Sequence, residues 1–212
     1  MATHLDDEEQ AEQLKQWWKE NWLALAGGLV IGLAAIFGWE GWKSYSNTQN
    51  ATASRLYEQL KIAVDTQRGD DVQRLGDALI SQYASSPYAS GAALVLAATA
   101  VDADDLAQAQ QRLQWAREHG YDEGVRMVAR LREAQVLWQQ GQLDAALKLL
   151  DTKPGHFAAQ IEELRGDIQL AQGDHAAARV AYQKALAASV EDPAVRTVLQ
   201  QKIDDLAEAV QS

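Results

Sequence analysis

QGQLDAALKLL (Gln140–Leu150) and QGDHAAARVAY (Gln172–Tyr182) align without a gap, 32 residues apart (172 − 140). In each, a glycine follows a helical run and a polar residue precedes the next one, which are the signals for a helix stop and a new helix cap. A small residue precedes each turn where two helices would cross, Ala134 in one copy and Gly166 in the other. After the turn comes Ala146 or Ala178, and four residues later the larger Leu150 or Tyr182. Small residues at a crossing let two antiparallel helices approach closely, and the larger one fills the gap to the next pair. Asp104-Asp105-Leu106-Ala107-Gln108-Ala109, with Leu113 and Ala116, is a weaker third copy.

From about residue 43 the chain reads as consecutive amphipathic helices of about 10–18 residues, an ordinary helix length. Short breaks separate them, such as Arg68-Gly69-Asp70-Asp71, Ser85-Ser86-Pro87, Glu118-His119-Gly120 and Lys153-Pro154-Gly155. No segment sustains strand alternation. Alanine, leucine and glutamine abound and there are three prolines, which favours helix. The predicted class is all-α. The pattern resembles the tetratricopeptide repeat, a helix–turn–helix unit of about 34 residues. Gly166, Gly173-Asp174, Ala178, Tyr182 and Ala185 follow that family's pattern. Arg165 stands where the family has leucine and Gln169 where it has tyrosine, so the repeats are divergent. About three hairpins and a capping helix near 193–210 are expected, with hairpin first helices at about 88–101, 123–140 and 157–172.

Upstream lies WLALAGGLVIGLAAIFGWEGW, Trp22–Trp42, with no charge before Glu40. At ~1.5 Å per residue a helix here is about 30 Å long, the thickness of a bilayer's hydrocarbon core. Trp17, Trp18 and Trp22 flank one end and Trp39 and Trp42 the other, as tryptophan does at membrane boundaries. A cleaved signal peptide is a poor fit, because an acidic tail precedes the run and no small-residue cleavage site closes it. The expected organisation is a tail over 1–21, a transmembrane helix over 22–42 and a repeat domain over 43–212. Lys15 and Lys19 before the run nearly balance Lys43 and Arg55 after it, so charge alone leaves the topology open. Ala24, Gly28, Gly32 and Ala35 share one stripe, a surface for packing against another transmembrane helix. Chance spacing in a Gly/Ala-rich segment is the competing reading.

The order of these parts resembles the bacterial ancillary SecYEG translocon subunit family across essentially the whole chain. The resemblance is carried by Trp17-Trp18-Lys19-Glu20-Asn21-Trp22, Gly38-Trp39, and Glu163-Leu164-Arg165-Gly166-Asp167-Ile168 leading into Gln172-Gly173-Asp174. It implies an inner-membrane protein with a cytoplasmic N-terminus and periplasmic repeats. The implied partners are the SecYEG translocon, a membrane-anchored periplasmic prolyl-isomerase chaperone and exported polypeptides. A repeat scaffold of another envelope complex, in cell division or outer-membrane assembly, is the alternative.

Little points to catalysis. The four histidines, His4, His119, His156 and His175, form no i, i+3 or i+4 pair, and no phosphate-cradling or nucleophile-elbow motif is present. No cofactor is expected. A net charge of −11, spread along the chain, argues against nucleic acid. A repeat stack works by shape, through the groove lined by its first helices. Leu94, Val128, Leu131 and Trp138 are expected to face that groove, with Glu163 and Asp167 nearby; apolar patches edged with acid would suit a partly unfolded chain, or a partner with basic and apolar side chains. Burial of the same apolar residues inside the repeats is the competing reading.

Overall fold

The computed structural model describes the backbone of residues 3–189 and 192–209, and the side chains of 11–189 and 192–206. The described residues are helical with no strand: α1 (Thr3–Asp65), α2 (Gly69–Gln82), α3 (Pro87–Asp102), α4 (Leu106–His119), α5 (Glu123–Gln139), α6 (Leu143–Leu149), α7 (Ala158–Ala171), α8 (His175–Ala188) and α9 (Pro193–Ala209), with one 3₁₀ turn at Gly155–Phe157. The expected end of the last helix at Val210 and the side chains of His4 and of Asp6 to Glu9 lie outside the described residues. Two compact units result, Met1–Ala51 and Thr52–Ser212.

In the first unit, α1 is helical from Thr3, so the acidic residues before the apolar run are helical too. The helix is long and apolar enough to cross a membrane, and none of its most apolar window is buried by the protein. Trp17, Trp18, Trp22, Trp39 and Trp42 are all more than half exposed. A core helix would be covered, and this one is not. The apolar helix fits a membrane anchor.

In the second unit, one turn geometry recurs four times among the described residues. At Gly173 (φ +81°), Gly173 N–H donates to Leu170 O at 2.9 Å and Asp174 N–H donates to Gln169 O at 3.0 Å. The same two bonds close the turns at Gly141 (φ +75°), Asp104 (φ +59°) and Gln67 (φ +54°). Each satisfies carbonyls left open at a helix end. Four hairpins follow: the end of α1 with α2, α3 with α4, α5 with α6, and α7 with α8. The first was not among the hairpins expected from the sequence, which marks a break at Arg68-Gly69-Asp70-Asp71 but shows no repeat pattern pairing the helices on either side. Ala53, Leu60 and Ala63 of α1 bury against Val72, Leu75 and Leu79 of α2.

Caps start the helices as the sequence suggests. Ser86, Asp105, Asp122 and Asp174 each accept a hydrogen bond from a backbone N–H three residues on. Helix α6 is shorter than the expected 10–18 residues, with seven. Pro154 disfavours helix in the residue before it, and Leu150 N–H tightens to Leu147 O at 3.1 Å. Arginines on following helices close several helix ends: Arg126 Nη1 donates to Gly120 O (2.8 Å), Arg165 Nη2 to Leu150 O (2.8 Å) and Arg196 Nη1 to Leu186 O (2.9 Å). That is the physical role of Arg165, which breaks the repeat pattern in the sequence. Glu133, buried on α5, is neutralised by Arg117 Nε of α4 at 2.7 Å.

Candidate functional site

Helix α5 sets the frame of the groove. Asp122 caps it by accepting from Val125 N–H at 2.8 Å. Met127, Ala134 and Leu137 point into the core with Ala146, Leu150 and Ile168. The opposite side stays open. At ~100° per residue, Val128, Arg132, Gln135 and Gln139 fall within about 60° of one another. Leu131 and Trp138 lie to one side of that stripe and Val136 to the other.

A cavity lies on each side. One, of about 440 Å³, is lined by five of the six residues expected in the groove: Val128, Leu131, Trp138, Glu163 and Asp167. The sixth, Leu94, lines a neighbouring cavity of about 290 Å³ with Val101 and Val136. Arg132 and Gln135 line both, so the cavities meet over the stripe. The apolar residues have two roles. Leu131 and Trp138 are half-buried against the α5–α7 core, and Leu94 against Ala97 and Leu113, while each keeps an open face.

The acidic edge differs from the expectation. Lys202 of α9 reaches Glu163 at 2.9 Å and Asp167 at 2.8 Å. Tyr182 of α8 donates its hydroxyl to Asp167 at 2.7 Å, and the Lys202 ammonium stands 5.3 Å from the Tyr182 ring centre. Burial works to lower the pKa of Lys202, but the hydrogen bonds to Asp167 and Glu163 outweigh it and hold the pKa above its ordinary value. Burial, then the hydrogen bond to Asp167, pushes the Tyr182 hydroxyl well above its usual range. Both acids are therefore engaged from within the chain, two carboxylates sharing the one ammonium of Lys202. Sequence reasoning missed Lys202, which lies 39 and 35 residues from its partners. It also passed over Arg132, although the spacing of four from Val128 puts both on one helix face.

In the other unit, Ala24, Gly28, Gly32 and Ala35 are all exposed on α1. A Cβ added at Gly28 or Gly32 would meet nothing within 4 Å, so the stripe is free of protein contacts. His119 stacks on Trp115 with ring centres 5.1 Å apart at the end of α4, a structural position.

The tetratricopeptide repeat-like domain family matches residues 15–208. The chain is 33% identical over 207 residues to the ancillary SecYEG translocon subunit of Escherichia coli (strain K12), covering 97% of this chain and 99% of that protein. It is 33% identical over 187 residues to the protein of that name from Haemophilus influenzae (strain ATCC 51907 / DSM 11121 / KW20 / Rd), covering 87% and 91%. With the one from Neisseria gonorrhoeae (strain ATCC 700825 / FA 1090) it shares 29% over 208 residues, covering 97% and 100%.

Proposed function

The chain belongs to the ancillary SecYEG translocon subunit family, and on that premise we propose that it is a non-enzymatic, single-pass inner-membrane protein that works at the SecYEG translocon. Its N-terminus lies in the cytoplasm and its hairpins in the periplasm. It links the channel to a membrane-anchored periplasmic prolyl-isomerase chaperone and assists newly translocated polypeptides. The observation that carries this reading is the end-to-end match to relatives of that name, on a chain whose apolar helix leaves its tryptophan-flanked surface uncovered. The Ala24–Gly28–Gly32–Ala35 stripe packs on a transmembrane helix of a partner, where close backbone approach replaces the hydrophobic drive. The groove along α5 takes polypeptide.

Two experiments test this. Protease added to cells with an opened outer membrane should digest the repeats; full protection would reverse the topology. Crosslinking in intact membranes followed by purification should recover channel subunits. Recovery of cell-division or outer-membrane assembly proteins in their place would make the chain a scaffold of that machinery.

A further inference from the structure

We propose that the groove takes an extended segment in which an acidic residue is flanked by apolar ones, with its carboxylate on Arg132. This rests on reading the groove as a polypeptide-binding surface.

Two features decide the shape of the occupant. The stripe of Arg132, Gln135 and Gln139 runs along α5 for about 10 Å, the length of about three extended residues. It lies between the two apolar cavities, with Leu94 and Val136 in one and Leu131, Trp138 and Phe157 in the other. Successive side chains of an extended chain point to opposite sides. A segment laid over the stripe therefore sends alternate side chains into the two cavities. Its backbone N–H and C=O groups then point down to the stripe and up to solvent. Gln135 and Gln139 are exposed and make no hydrogen bond among the described residues, so their amides are free to pair with that backbone. An amphipathic helix collects its apolar side chains on one face and would fill one cavity while stranding the stripe.

Charge decides the chemistry. The charged groups lining the cavities are Asp102, Arg132, Glu163 and Asp167. Lys202 pairs with both Glu163 and Asp167, so a basic residue on the occupant has to compete with it for either acid. Arg132 has no hydrogen bond or ion pair among the described residues and sits where the cavities meet. Its guanidinium can hold a carboxylate through two parallel hydrogen bonds. Asp102, exposed at the end of α3, repels a second acid from the outer end of the Leu94 cavity and so favours apolar residues beside the carboxylate.

The test is an array of decapeptides with both ends blocked, probed with the labelled full-length protein in detergent micelles. Blocking leaves side chains as the sole source of carboxylate. The expected result is enrichment of Asp or Glu at one position with apolar residues at the adjoining ones. R132E should turn that preference to Lys or Arg at the same position. R132Q should weaken the best acidic peptide about one-and-a-half- to fivefold by fluorescence anisotropy, the range of an exposed ion pair. Arg132 is exposed, so unchanged thermal unfolding of both variants shows that the fold is intact. Apolar enrichment without an acid, an acid preference that R132E leaves in place, or apolar positions spaced by three and four would each overturn this inference while leaving the groove reading standing. Failure to retain any peptide, or retention unchanged in Val128→Asp, would remove the groove reading as well.

Discussion

Replacing Gly166 with alanine tests whether the α7–α8 crossing is as tight as the structure makes it. The new Cβ would stand 2.5 Å from Cε1 and 2.6 Å from Cδ1 of Tyr182. Carbon atoms pack at about 3.5–4.0 Å, so one of the two must give way by about 1 Å. The ring has little room to move: it is 1% exposed, and its hydroxyl is fixed on Asp167 at 2.7 Å. Overpacking a core costs about 1–3 kcal/mol, and a pinned ring calls for the upper end. Alanine in place of glycine inside a helix returns about 1 kcal/mol. The net loss is about 2 kcal/mol. For a chain of this size each kcal/mol moves the midpoint by about 2–4 °C, so Tm should fall by about 4–8 °C. Far-UV circular dichroism of the full chain in detergent measures it. A second arm identifies the cause: in a Tyr182→Leu background the same alanine should cost at least about 1 kcal/mol less, because its clash is gone. An unchanged or higher Tm for the single variant, or strict additivity in the cycle, would refute the reasoning.

Three further outcomes are expected. Gly173→Ala should lower stability by about 1 kcal/mol, read as a shift in the urea midpoint. Nothing crowds a Cβ there, so the cost comes from the left-handed backbone at φ +81°. Stability should fall in alkali beginning near pH 10. Tyr182 and Lys202 both have pKa values raised above the ordinary 10.0 and 10.5, so each holds its proton more tightly folded than unfolded, and that contribution is complete below the ordinary value and lost as pH climbs through the raised one. Tyr182→Phe should flatten that decline in a thermal-unfolding series against pH. Gly28→Leu with Gly32→Leu should reduce recovery of the membrane partner after crosslinking yet leave the helical spectrum intact, since neither position contacts the protein.

Parts of this architecture were legible because they depend on local chemistry. Gly141 and Gly173 announce their turns, since a left-handed stop is easiest for glycine. Asp105 and Asp174 announce caps, and an uncharged run between tryptophans announces a helix suited to lipid. At Gln67 the break at Arg68-Gly69-Asp70-Asp71 was legible but the hairpin was not, because the packing of Ala53, Leu60 and Ala63 on Val72, Leu75 and Leu79 follows no repeat pattern in the sequence. Arg165 looked like a defect in the repeat, because its use, closing the end of α6 at Leu150 O, is visible only when α7 lies beside it.

For the groove the division is sharper. Helical periodicity along α5 and α7 was enough to bring Val128, Leu131, Trp138, Glu163 and Asp167 to one face, since those positions are related by the pitch of one helix or of two adjacent ones. Which of its charges remain free was decided by the tertiary structure alone. Lys202 pairs with both acids from a helix 39 and 35 residues away in the chain, and Arg132 is left without a partner among the described residues. Pairing of charges depends on distances through space, and those exist only once α9 has packed against α8.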